Sequence, residues 1–81
     1  MISELQARYD ARKSFYGKAQ VETLNGKVNL YSYNTLVATV CDGVLSLTSD
    51  WNYSLTTRRH VNEFVKQMGV EEQFADIKKR W

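Results

Sequence analysis

From Phe15 onward, small or apolar residues alternate with polar ones. Phe15, Gly17, Ala19, Val21 and Thr23 stand against Tyr16, Lys18, Gln20 and Glu22. A period of two is that of a strand with one buried face. Asn25-Gly26 follows, the pair that best tolerates the positive φ of a type I′ hairpin turn. Folding about it sets Thr23 opposite Val28, Val21 opposite Leu30 and Ala19 opposite Ser32 on one face. The other face collects Glu22 with Asn29, Gln20 with Tyr31 and Lys18 with Tyr33. The register agrees with itself, since a slip of one residue would turn the apolar set to solvent. Asp42-Gly43 predicts a second I′ hairpin, with Val40 opposite Leu45 and Ala38 opposite Leu47. Leu36, Ala38, Val40, Leu45 and Leu47 then make a second apolar face. The join at Tyr33-Asn34-Thr35 decides whether the two faces coincide. A three-residue loop aligns them and a two-residue loop flips them; we expect the former, because it gives one continuous core.

Helical spacing governs the two ends. Ser3-Glu4-Leu5-Gln6 fits a capping box, and Leu5, Tyr9 and Arg12 predict a short surface helix with Arg8, Asp10 and Lys13 on its other faces. After the polar-aromatic stretch Ser49 to Ser54, a helix is expected near Thr56, with Ser54, Thr56 and Thr57 as alternative N-caps. Its core stripe is Val61, Phe64, Val65 and Met68. Gly69 stops it, with Val70 packing back on Val65 in a Schellman arrangement. A last helix runs from Glu71-Glu72 to Lys78-Lys79-Arg80, the charge order its dipole favours, with Val70, Phe74, Ile77 and Trp81 as its stripe. The expected fold is α+β: an N-terminal helix, a four-stranded antiparallel meander of two I′ hairpins, and two C-terminal helices packed on one sheet face.

The 81 residues make one small domain, spanning residues 1–81. At 43% hydrophobic the chain is too apolar for a disordered tail. No apolar run approaches the ~20 residues of a membrane span, so no membrane partner is expected. Met1-Ile2-Ser3-Glu4 turns acidic at once, unlike a signal peptide. The single cysteine, Cys41, forms no internal disulfide, which makes a reducing cytoplasm the expected setting. Net charge is +2, milder than the concentrated positive charge of dedicated duplex-DNA binders.

Enzymatic chemistry finds little support. Cys41 and His60 are the only cysteine and histidine, and a lone cysteine beside a hairpin turn reads as a small packed hydrophobe. One His and one Cys fall short of a metal ligand set. Neither a P-loop nor a Gly-x-Gly-x-x-Gly string is present. We therefore expect no enzyme, no cofactor and no metal. His60 reads as a core-edge residue donating to a backbone carbonyl.

Two features suit binding. Arg58 and Arg59 open the second helix after the hydroxyls of Ser54, Thr56 and Thr57. That is an anion-binding arrangement or an ordinary cap with solvated arginines. Tyr16, Lys18, Tyr31 and Tyr33 are expected together on the non-core sheet face. Tyrosines with lysine on such a face serve a protein interface, stack single-stranded bases, or simply suit strands.

Three strings carry a resemblance: Arg12-Lys13-Ser14-Phe15-Tyr16-Gly17-Lys18-Ala19, Leu30-Tyr31-Ser32-Tyr33-Asn34-Thr35, and Thr56-Thr57-Arg58-Arg59-His60-Val61-Asn62-Glu63-Phe64. In order and spacing, over about residues 10 to 70, they resemble a family of small uncharacterised proteins of bacteriophages and integrated elements of Gram-positive bacteria. The resemblance implies an origin rather than an activity. The resulting expectation is a non-enzymatic accessory protein that binds a host or phage protein and inhibits a defence or host process. Its partner-binding residues would be Tyr16, Lys18, Tyr31, Tyr33, Arg58 and Arg59. A single-stranded nucleic-acid binder, with the same tyrosines stacking bases and Lys18, Arg58, Arg59, Lys78, Lys79 and Arg80 on phosphates, and a homodimer are the alternatives.

Overall fold

A computed structural model describes residues 1–11 and 14–81. Its centre is the hairpin of β2 (Ala19–Leu24) and β3 (Lys27–Ser32), turned by Asn25 and Gly26 with φ of 36° and 81°. All pairs expected within these strands are present, from Ala19 with Ser32 to Thr23 with Val28. The second hairpin, β4 (Thr35–Cys41) and β5 (Val44–Leu47), turns at Asp42 and Gly43 and pairs Val40 with Leu45 and Ala38 with Leu47.

Between the hairpins the chain departs from expectation. The β3–β4 loop has two residues, Tyr33 and Asn34, with φ of 51° and 66°, and Ser32 pairs with Thr35. Alone, that turn would send Ala38 and Val40 to solvent. The register shifts by one residue after Tyr31–Leu36, so that Leu30 pairs with Ala38 and Val28 with Val40. The extra residue, Val37, is a β-bulge that resets the phase of the strand. Val37 and Ala38 are both buried, while Leu36 falls on the opposite face and is 37% exposed. The two apolar faces coincide after all, by a bulge instead of a longer loop.

The N-terminal helix is replaced by a strand. β1 (Ile2–Glu4) adds to the free edge of β2, pairing Ile2 with Glu22 and Glu4 with Gln20. The sheet thus has five antiparallel strands in sequence order, one more than the sequence suggests. A helix of about ten residues with one thin apolar stripe is marginal in water, whereas an open sheet edge offers a full row of backbone partners. Residues 5–11 then run without regular structure beside the helical layer, with Leu5 buried. The expected helix positions Arg12 and Lys13 lie outside the described residues.

α1 (Leu55–Met68) starts at Ser54, whose Oγ accepts the Thr57 N–H, so Ser54 is the cap among the three alternatives. It ends at left-handed Gly69 in the expected Schellman pair, Gly69 N–H to Lys66 O and Val70 N–H to Val65 O. α2 (Glu71–Lys79) follows, contacting β5 and α1. The Gln73 amide accepts from Leu45 N–H and donates to Gly43 O, engaging the backbone of edge strand β5. Both helices cover the face of Ala19, Leu30, Val37, Ala38, Val40 and Leu45, with Val61, Phe64, Val65 and Phe74 above them. Trp51 closes one side of the core edge-on to Phe74, at 5.4 Å between ring centroids, with Trp81 also edge-on to it at 5.8 Å. Among the described residues no helix is long and apolar enough to cross a membrane.

Candidate functional site

The expected binding residues are divided by the fold. Tyr31 lies on the open sheet face, where its phenol donates to Glu22 Oε1 at 2.9 Å. That hydrogen bond, with desolvation behind it, raises the phenol pKa above its ordinary value. Asn29 donates to the same carboxylate oxygen and accepts from Thr39 Oγ1 at 2.9 Å, so the middle of this face is a closed polar network. Tyr33 does not join it. The two-residue turn swings its ring to the helical side, 5.8 Å from the His60 imidazole centroid. The tyrosines expected to share one face therefore sit on opposite sides of the sheet.

Tyr33 instead meets Tyr16, Lys18 and Arg59 at the end of the sheet, where α1 begins. Phe15, Tyr16, Lys18, Tyr33, Arg59 and His60 line a pocket of about 190 Å³. Tyr33 also walls a neighbouring groove of about 410 Å³ together with Ser32, Thr35, Asp50, Tyr53 and Thr57. Arg58 lies outside both, in a depression with Trp51, Asn62, Phe74 and Lys78 that Arg59 also borders. There Lys78 Nζ stands 4.4 Å from the Phe74 ring centroid, a cation–π contact.

His60 forms the inner wall of the smaller pocket and is fully buried. Its Nδ1 lies 2.7 Å from Ser32 Oγ, which is 3.1 Å from Thr57 Oγ1; Ser54 Oγ donates to Thr57 Oγ1 at 3.2 Å. Phe15 meets the imidazole edge-on at 4.8 Å. The other ring nitrogen, Nε2, is buried without a hydrogen-bond partner. Burial lowers the His60 pKa below its ordinary value, against the opposing charge of Asp10. The expected backbone carbonyl partner is thus replaced by a side-chain hydroxyl. The signal for this was in the sequence: Ser32 is a polar residue on the apolar face of the first hairpin, and Thr57 lies three residues before His60.

Around this pocket the electrostatics favour anions. The first turn of α1 has no acidic residue, so no carboxylate within the helix start offsets its N-terminal dipole. Glu63, on the same helix, is committed elsewhere. Its Oε1 accepts the Tyr9 and Asp10 N–H groups at 2.8 and 2.9 Å, and its Oε2 accepts from Gln67. Gln67 also donates to Gln6 O, so the two side chains moor residues 6–10 to α1.

Cys41 is exposed, not packed as expected. It pairs with Lys27 at the start of β3, while His60 contacts Ser32 at its end. Five residues of strand, about 17 Å, separate the two levels, so no thiol–imidazole pair forms. Among the described residues no cluster of His, Cys, Asp or Glu is arranged to hold a metal ion.

These features define a small α+β domain with a five-stranded meander, helices on one face and an aromatic, cation-lined pocket at the sheet end. The chain belongs to a family of unknown function, DUF8033, whose model matches residues 3–81. Comparison with curated proteins gave no match, and comparison with solved structures gave none.

Proposed function

We propose that this is a non-enzymatic accessory protein, of phage or mobile-element origin, that captures a host or phage protein through Tyr16, Tyr33, Lys18 and Arg59. The observation carrying the reading is the backbone at the two tyrosines. Non-glycine residues with positive φ among the described residues are Tyr16, Asn25, Tyr33, Asn34 and Asp42. Three are Asn or Asp, which tolerate the left-handed region; for other residues it costs about 1–2 kcal/mol. The two exceptions are both tyrosines, both line the same pocket, and they are 76% and 47% exposed. Strain kept at exposed aromatic side chains supports a binding role, and tyrosine with arginine is enriched at interface centres. Inhibition of a host or defence process would follow from occupying the partner's surface.

The test is affinity capture from host lysate treated with nuclease, comparing the wild-type chain with the Tyr16→Ser/Tyr33→Ser double variant. A protein retained by the wild type and lost by a variant of unchanged thermal unfolding supports the reading. Equal retention by both overturns it. Capture of nucleic acid alone, removed by salt, would replace it with the single-stranded nucleic-acid reading.

A further inference from the structure

We propose that the pocket between Tyr16 and Tyr33 is a carboxylate-binding site, which takes an aspartate or glutamate side chain of the partner protein. The inference rests on the protein-binding reading above and adds the chemistry of what is bound.

The argument begins with a one-way chain of hydrogen bonds. Thr57 N–H donates to Ser54 Oγ, and Ser54 Oγ–H donates to Thr57 Oγ1. The hydroxyl hydrogen of Thr57, itself buried, then has Ser32 Oγ at 3.1 Å as its acceptor. Ser32 Oγ–H in turn faces His60 Nδ1 at 2.7 Å. Each hydroxyl has one hydrogen to donate and two lone pairs with which to accept. With Thr57 donating to Ser32 and Ser32 to Nδ1, the assignment that gives every hydroxyl hydrogen of the chain an acceptor, the proton of the neutral ring lies on Nε2. That N–H is a buried donor with no acceptor, on a ring that lines the pocket. A buried donor without an acceptor is unfavourable, and an acceptor entering the pocket would relieve it.

The rest of the lining says which acceptor. Beside the hydroxyls of Ser14, Tyr16, Tyr33 and Thr56, Lys18 and Arg59 are donors that accept nothing, and the 14-residue helix α1 begins at the same end of the sheet with no carboxylate in its first turn. The ligand group is thus an anion that only accepts. At about 190 Å³ the pocket suits the tip of one side chain rather than a drug-sized molecule. Asp50 lines the adjoining groove on the far side of Tyr33, while Arg59 also borders the depression that holds Arg58 and Lys78. A nucleic-acid strand needs a basic track for successive phosphates, whereas this pocket of about 190 Å³ has room for one charged group. A single carboxylate inserted between two cations meets that limit, and Arg59 is able to hold it by two parallel bonds.

The test is NMR of the full ¹⁵N-labelled chain, with the peptides acetyl-Gly-Glu-Gly-amide and acetyl-Gly-Gln-Gly-amide and a short oligothymidylate as probes. The free protein should show His60 neutral and protonated on Nε2. The Glu peptide should shift Nε2 saturably while the Gln peptide does not. His60→Phe should weaken the Glu peptide about tenfold, the loss of one hydrogen bond to a charged acceptor. Arg59→Gln, at a half-exposed position, should weaken it without unfolding the chain. A proton on Nδ1, an equal response to both peptides, or a response to oligothymidylate alone would overturn the proposal. If the Glu peptide is silent while Tyr16 and Tyr33 still govern capture of a protein, the carboxylate site fails and the binding module stands. If both are silent, both fail.

Discussion

Ser32 and His60 meet across the sheet–helix interface at 2.7 Å, a strand hydroxyl against a helix imidazole, both buried. This contact ties the end of β3 to α1 and lets a histidine occupy the core. Ser32→Ala removes it, leaving His60 Nδ1 without a partner and the Thr57 hydroxyl with Ser54 Oγ alone. Denaturant unfolding should report a loss of about 1–3 kcal/mol, with the slope unchanged. A loss below a few tenths would mean that the hydroxyl chain is not formed in solution.

The same buried groups set the acid limb of stability. Burial holds His60 below its ordinary pKa of 6.5, so between the two values the unfolded chain binds more protons than the native one. Stability from this group is complete above about pH 6.5 and declines as pH falls toward the folded value. For Glu63, desolvation pushes the carboxyl up. The hydrogen bonds from Gln67 and from the backbone of Tyr9, Asp10 and Arg8 outweigh it, and the net direction is below 4.5. Its contribution is present above about pH 4.5 and is lost at still lower pH. Unfolding measured across this range should show two successive declines. His60→Phe should remove the first and Glu63→Gln the second.

Glu63 also predicts a local effect. Its Oε1 holds two successive backbone N–H groups of a segment that has no regular structure. Glu63→Ala should cost about 3 kcal/mol, since bonds to a charged acceptor are lost together. Hydrogen exchange at the Tyr9 and Asp10 amides should rise far more than exchange in β3. Uniform acceleration over the whole chain would instead mean that residues 5–11 and the core unfold as one unit.

Legibility of the fold followed the range of the interactions. The pairs within each hairpin were readable because Asn25-Gly26 and Asp42-Gly43 fix register locally. The Gly69 stop was readable for the same reason. β1 was not, because its strand character comes from the edge of β2, some twenty residues away, while the local capping-box pattern spoke for a helix. The bulge at Val37 was hidden too. Strict alternation over Leu36, Ala38 and Val40 looks regular, and only the conflict with the two-residue turn forces the extra residue. Of the site, the separate residues were visible but not their grouping. Tyr31 and Tyr33 are two apart and would share a face in an unbroken strand; the turn at Tyr33 separates them.

The bulge makes an inverted expectation for two neighbouring residues. Alternation alone would bury Leu36 and expose Val37; the structure does the reverse. Val37→Ala should cost about 2 kcal/mol through the lost methyls and the cavity left behind. Leu36→Thr should stay within about 0.5 kcal/mol, as at other exposed strand positions. Thermal or denaturant unfolding of the two variants decides between a bulged strand and a regular one.

Tyr16 gives the most direct test of whether its conformation serves binding. At φ of 53° a tyrosine is strained where asparagine is at ease, and with 76% of its surface exposed the ring adds little to the core. Tyr16→Asn should therefore raise stability by about 0.5–1 kcal/mol. Tyr33→Asn, at φ of 51° in an I′ turn, should gain less, because its ring contact with His60 is lost. Both variants should lose partner capture. Stability gained as binding is lost is the trade expected of a side chain held for recognition. Stability lost at both positions would make the rings part of the fold, and the strained tyrosines would then no longer argue for a binding surface.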